Sequence, residues 1–167
     1  MKIILMMAIT ADGKIAKDSN QFANWTSPED KKMFAKISKE CGVILMGENT
    51  FNTFPAPLKD RLNVVFSEKE NISEVEGLKW VKGDPKKVLA ELEEMGYQKA
   101  LLGGGSFLNS LFAKDNLIDE IILTIEPKVF GSGLSLFNTD LEMKLKLMNL
   151  ESINENTVML HYQVIKE

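Results

Sequence analysis

The chain has 167 residues, 44% of them hydrophobic and 26% charged, with a formal net charge of −4. That balance speaks against disorder and membrane insertion, and the acidic sign leaves no basic footprint for nucleic acid. A lone cysteine, Cys41, excludes an internal disulfide or thiolate metal cluster, and a lone histidine, His161, weakens any His-built zinc or Ser-His-Asp site.

The length fits one domain over residues 1–167 with a sizeable core. Ile3 to Ile9 is a near-continuous apolar run, as expected of a strand covered on both faces. It is too short for a membrane span and ends at Thr10-Ala11-Asp12-Gly13-Lys14 rather than at a cleavage site, so a cytoplasmic address is expected. Ser27-Pro28-Glu29-Asp30 opens a helix with Ser27 as N-cap, and Met33, Phe34, Ile37 and Cys41 form its apolar stripe. Gly42 ends that helix, and Val43 to Met46 reads as a second buried strand. Gly47-Glu48-Asn49-Thr50-Phe51 starts a short helix stopped by Pro55 and Pro57.

Leu62 to Phe66 and Leu78 to Val81 read as strands. Asp84-Pro85 caps a helix running to about Met95. Lys99 to Leu102 leads through Gly103-Gly104-Gly105 into a helix carrying Leu108, Leu111 and Phe112. Ile118 to Ile125 is a further strand, and Lys144 to Ile153 with Thr157 to Ile165 reads as a hairpin around Asn154-Glu155-Asn156. The expected architecture is α/β in three layers, with a mostly parallel central sheet and an antiparallel C-terminal hairpin. Ligands of such sheets bind beyond the carboxyl ends of the strands. Four segments stand there: the Asp12 loop, Gly47 to Thr50, Ser67, and the glycine triplet.

The triplet between strand and helix suits either a tight turn or the close approach of a diphosphate to backbone N–H groups. Gly47 to Thr50 repeats the arrangement, with a threonine hydroxyl to donate. Asp30 lies four residues before Phe34 on the apolar side of its helix. A carboxyl among apolar groups resists ionisation and becomes a proton donor near neutral pH. The same residue closes a Ser27-x-x-Asp30 capping box, and from the local sequence alone that N-terminal structural role is the commoner reading. Trp25 either shapes a pocket or plugs the core edge, and Arg61 either grips a carboxylate or is solvated.

In their joint order these segments resemble the dihydrofolate reductase superfamily, which includes the reductase domain of riboflavin biosynthesis. The similarity runs through Ala8 to Ala16, Trp25 to Phe34, Met46 to Phe51, Arg61 to Ser67, Gly103 to Gly105 and Leu123-Thr124. The resemblance implies hydride transfer from a nicotinamide cofactor, NADPH with NADH possible, to a pterin or related pyrimidine, without a metal. It makes Asp30 the buried acid, Thr124 the hydroxyl behind it and Trp25 the holder of an ordered water. Ala8, Phe34, Phe54 and Leu58 would then face the substrate, and Arg61 would clamp the carboxylate of a folate tail. Ile15 and Ala16 would hold the nicotinamide. Gly47, Glu48, Asn49, Thr50, Ser67, Lys69, Gly103, Gly104, Gly105, Ser106 and Phe107 would line the rest of the cofactor site, with a cis bond between Gly103 and Gly104.

Some positions depart from the folate pattern. Glu48 stands where folate reductases carry an arginine, and it would repel a 2′-phosphate unless Lys69 supplied the charge. Leu108 replaces a tyrosine, Ser106 a longer side chain, and Gly131 to Phe137 resembles the riboflavin branch. The expected activity is reduction of 7,8-dihydrofolate; the alternatives are reduction of a ribosylaminopyrimidine phosphate and a non-catalytic nucleotide-binding relative. Lys31, Lys32, Lys36 and Lys39, the cations near a possible phosphate, are expected on the solvent side of their helix. Oligomeric state is expected to be monomer or homodimer.

Overall fold

The computed structural model describes all residues except 20, 22, 70–74 and 167. Its strands are β1 (Lys2–Thr10), β2 (Lys14–Ala16), β3 (Val43–Gly47), β4 (Leu62–Phe66), β5 (Leu78–Val81), β6 (Lys99–Leu102), β7 (Glu120–Glu126), β8 (Leu134–Ser135), β9 (Lys144–Ser152) and β10 (Val158–Ile165). The helices are α1 (Pro28–Cys41), α2 (Glu48–Phe51), α3 (Pro85–Glu94) and α4 (Ser106–Lys114).

Eight strands form one sheet in the order β5-β4-β3-β6-β1-β7-β10-β9. Pairings from β5 across to β7 are parallel, and β10 runs antiparallel to both β7 and β9. Successive side chains of a strand point to opposite faces, and the apolar runs of β1, β3 and β6 supply both. Ile3, Leu5, Val43, Leu45 and Leu102 face Val88, Leu89 and Leu92 of α3 and Leu108 and Phe112 of α4. Ile4, Met6, Ile44, Met46 and Leu101 face α1 through Met33, Phe34, Ile37 and Cys41. The three expected layers are therefore helix, sheet, helix. Each fully buried aliphatic side chain adds about 1.5–3 kcal/mol of transfer free energy to these two cores.

Caps fix where the helices begin. Ser27 Oγ accepts the Asp30 N–H at 3.3 Å with Pro28 at the first helical position, and Asp84 accepts the Lys86 N–H at 2.9 Å ahead of Pro85.

One element lies outside the expected set. The segments read as a loop after β1 and a glycine-rich stretch after β7 pair as a second sheet, β2 with β8. Asp12 explains the pairing: its carboxylate accepts Phe130 N at 3.2 Å and Gly131 N at 2.7 Å, tying the two segments together. Gly133, with φ of 146°, passes so close that a Cβ there would lie 2.3 Å from Ala16 O. Two residues of strand on one side are too few to show alternation in a sequence.

Candidate active site

The strand ends of β1, β3, β4 and β6 open onto one cavity of about 1190 Å³. One end lies against α1, with β7 behind it. Pro28 and the Ser27 cap start α1 at the sheet edge, so the first turn carries Asp30 inward, where it is 7% exposed. Thr124 projects from β7 beneath it, fully buried, and Thr26 precedes the cap at 9% exposure. Burial pushes the Asp30 carboxyl above its ordinary value; the Thr124 and Thr26 hydroxyls beside it pull the other way without cancelling the rise. Among the described residues the Thr124 hydroxyl makes no well-directed hydrogen bond, leaving a buried donor behind the cavity wall.

The walls next to Asp30 are apolar. Phe34 stacks on Phe54 with centroids 6.5 Å apart and planes 14° from parallel, and Leu58 continues that wall. Trp25 packs edge-on to Phe130 at 5.1 Å, and its carbonyl accepts Lys128 Nζ at 2.8 Å, so the loop entering α1 is pinned to the end of β7. Ala8, Ile15 and Ala16 line the opposite side, the last two from β2. Arg61 also reaches the cavity, but its Nε donates to Lys59 O at 2.9 Å, and its Nη1 donates to Ala35 O at 3.2 Å and to Ser38 Oγ. Half of its fork is thus spent anchoring α1. Of the four lysines expected to face solvent, all are exposed, yet Lys31 sits at the cavity rim.

The other end of the cavity is backbone. Gly103 N donates to Leu45 O at 2.9 Å and still belongs to the strand pairing. The turn therefore starts one residue later than expected, and the cis bond joins Gly104 to Gly105 rather than Gly103 to Gly104. Gly104 O accepts Gly47 N at 2.8 Å, which brings the two glycine segments side by side. Gly104 has φ of +99°, so its conformation calls for glycine, and a Cβ there would meet Met7 Sδ at 2.8 Å and make that side chain shift. A Cβ on Gly105 would stand 3.3 Å from Thr50 Oγ1. Among the described residues, helix α4 begins with no side-chain cap and the buried Ser106 hydroxyl has no partner. Bare N–H groups, an unpartnered hydroxyl and side-chain-free backbone fit the phosphates of a dinucleotide.

Beyond the glycines, Glu48 opens α2 on the cavity wall together with Asn49 and Thr50. Its carboxylate accepts Ser67 Oγ at 2.7 Å and is ion-paired with Lys69. The hydrogen bonds from Lys69 and Ser67 hold its pKa below the ordinary carboxylate value. Lys69 is therefore engaged by Glu48 and does not line the cavity. Thr124 and Gly104 also lie behind the lining, while Phe107 stands on it with 73% of its surface exposed.

A model of the RibD C-terminal domain matches residues 1–159. The chain belongs to the RibD C-terminal domain family. Among relatives of the family member, a putative dihydrofolate reductase of Caenorhabditis elegans is 28% identical over 168 residues, covering 93% of this chain and 88% of the other. RibD of Acinetobacter baumannii superposes with a TM-score of 0.84 at 17% identity, over 99% of this chain and 58% of that one, so this chain spans little more than half of that protein. Dihydrofolate reductase of Enterococcus faecalis superposes with a TM-score of 0.74 at 19% identity, over 99% and 97% of the two chains. The RibD-family fold of this chain is thus dihydrofolate-reductase-like.

Three residues of this RibD-family site were not reached from the sequence. Thr26 gives only a weak signal, a hydroxyl one position before an N-cap. Met7 shapes the glycine turn from below, and nothing in an apolar run distinguishes it. Glu126 had a readable signal: with Thr124 it places two polar residues at alternate positions on one face of a buried strand.

Proposed function

We propose that this RibD-family chain is a reductase that moves hydride from a nicotinamide dinucleotide to the C=N bond of dihydrofolate, with Asp30 supplying the accompanying proton. The observation carrying this reading is one buried carboxyl, raised in pKa by its burial, facing the same cavity as a glycine-built phosphate cradle. A bound nicotinamide cofactor supplies the hydride. The remaining work falls to this chain. Phe34, Phe54 and Leu58 keep the ring in a dry site, and Asp30 binds its amino edge and holds a proton within reach of the ring nitrogen. Thr124 and Thr26 orient that carboxyl, and Trp25 and Ala8 bound the space around it. Arg61 receives the carboxylate of the substrate tail with the part of its fork that α1 does not use. Gly47, Asn49, Thr50, Gly103 to Gly105, Ser106 and Phe107 receive the cofactor phosphates and riboses, and Ile15 and Ala16 cover the nicotinamide.

NADPH is the cofactor expected from the resemblance, and Glu48 opposes it. An ionised carboxylate accepts hydrogen bonds from a ribose diol and repels a 2′-phosphate. With Lys69 and Ser67 both bound to it, Glu48 supports use of NADH as well.

A second reading is reduction of a ribosylaminopyrimidine phosphate, supported by the family match and by Lys31 at the rim of the cavity that Arg61 also lines. Oxidation of NADPH and NADH followed in parallel with dihydrofolate and with that pyrimidine separates the two. Turnover of dihydrofolate alone is the expected result. Turnover of the pyrimidine alone would replace the first reading by the second, and tight cofactor binding with no turnover of either would leave a nucleotide-binding protein.

A further inference from the structure

Glu126 ends β7 two residues beyond Thr124, so Ile122, Thr124 and Glu126 share the strand face turned toward α1. Only 3% of Glu126 is exposed, and among the described residues it forms no ion pair. Both of its oxygens act as acceptors. Oε1 takes the Ser27 N–H at 2.7 Å and the Ser27 hydroxyl at 2.8 Å, and Oε2 takes the Thr157 hydroxyl at 3.5 Å. Ser27 Oγ in turn accepts the Asp30 N–H. A single side chain therefore separates Glu126 from the backbone that carries the Asp30 carboxyl.

A buried carboxylate without a cation bears a desolvation cost of several kcal/mol, which its charge-assisted bonds from Ser27 at the start of α1 offset only in part, and a glutamine oxygen would still accept from Ser27, more weakly. What glutamine would not bring is charge.

We infer that Glu126 is a positioning residue for Asp30, clamping the α1 N-cap from β7 and keeping a second carboxylate beside the proton donor. The inference rests on the assignment of Asp30 as that donor. Two charged groups act on Asp30: Glu126, from β7, disfavours its ionised form, and Lys31, from α1 itself, favours it. The other groups against it, Thr26 and Thr124, are neutral hydroxyls, and the neighbouring Glu29 is turned to Asn154 at 3.2 Å. Burial remains the main cause of the raised Asp30 value, with Glu126 an addition to it.

The test is an NMR titration of the Asp30 carboxyl carbon in the full chain without ligands, for the wild type and for Glu126→Gln. The midpoint is expected at lower pH in the variant, because the like charge is gone while the acceptor for Ser27 remains. An unmoved or raised midpoint overturns the inference, since a merely structural glutamate would change the melting temperature and leave the midpoint alone. Turnover gives a second reading: kcat of Glu126→Gln should fall about 3- to 10-fold above neutrality and recover toward low pH. Should Glu126→Gln not fold, Ser27→Ala cuts the link while keeping both carboxylates. It is expected to lower kcat about tenfold or more with little change in KM, and an unchanged kcat refutes the clamp. The titration needs no substrate, so absence of reductase activity would count against the proposed function and not against the Glu126–Asp30 coupling.

Discussion

Replacing Asp30 by asparagine keeps the size and most of the hydrogen bonding of the side chain but removes its acidic proton. A positioned acid contributes about 10²–10⁴-fold to a proton-coupled step, or about 2.7–5.4 kcal/mol of barrier. The loss expected for Asp30 lies in the middle of that range. Asp18, Glu48 and Glu68 also line the cavity, but Asp18 and Glu68 are exposed and Glu48 is held by Ser67 and Lys69, so no neighbour replaces the buried donor. Steady-state oxidation of the nicotinamide cofactor should thus fall by about a thousandfold at neutral pH and recover partly in acid, where substrate arrives already protonated. The same change should stabilise the protein. Because the native carboxyl titrates above 3.8, its value when unperturbed, the unfolded chain binds fewer protons than the native one as pH rises past that point, and stability is lost through the native pKa. Asp30→Asn has no such titration, so its melting temperature should exceed that of the wild type at neutral pH and the gap should close in acid. A rate within about threefold of the wild type across that range would refute the proton-donor role. A melting temperature lowered at neutral pH would refute the claim that burial of this group is costly.

Arg61→Ala should raise KM for dihydrofolate about tenfold, because the tail carboxylate loses its partner, and should lower the melting temperature because α1 loses the bonds to Ala35 O and Ser38. Arg61→Lys should not restore either property, since an ammonium cannot keep those bonds and grip a carboxylate at once; an unchanged KM in Arg61→Ala removes the folate-tail argument. Glu48→Arg should shift binding preference toward the phosphorylated cofactor about tenfold or more, read by calorimetry with NAD⁺ and NADP⁺, and a ratio that does not move means the 2′ position is read elsewhere. Gly104→Ala should destabilise the fold by about 1–3 kcal/mol, chiefly because it forces a positive φ on a residue with a Cβ, with Met7 shifting to make room. Chemical denaturation checks it, and a loss below about 0.5 kcal/mol would show that the glycine turn adapts.

The sheet was legible because its strands are buried on both faces, which leaves unbroken apolar runs at β1, β3 and β6 that no surface segment would carry. The helix starts at Ser27 and Asp84 were legible for a different reason, as a capping side chain followed by proline is a local signal that needs no tertiary context. The β2–β8 sheet escaped because what creates it is Asp12 holding two loops more than a hundred positions apart. Tertiary contact likewise decided where the glycine turn begins, because Gly103 is still paired with Leu45 of the neighbouring strand. Around the acid, Asp30 and Thr124 were reachable and Thr26 was not. The helix stripe points at Asp30, whereas only the folded loop brings Thr26 to it. Arg61 and Lys69 show the opposite limit: both were found by position, but the sequence did not reveal that Ser38, Ala35 and Glu48 already occupy part of their bonding capacity.

The two ends of the cavity differ in how they respond to acid, and the difference follows from what each is made of. At the α1–β7 end the proposed working group is a carboxyl whose pKa burial raises, so lowering the pH restores stability and supplies the proton for turnover together. The pH profile of kcat/KM and the stability curve should therefore both turn with the Asp30 carboxyl of the free protein. At the β3–β4 end the working group is a carboxylate kept ionised by Lys69 and Ser67, so its charge and its bonds persist into acid and are lost only as pH falls through a value below 4.5. Discrimination between the two nicotinamide cofactors should thus stay constant over the pH range in which kcat changes. A discrimination ratio that tracked kcat would mean that Glu48 and Asp30 titrate as one coupled site, which the glycine-built stretch of uncharged backbone between them argues against.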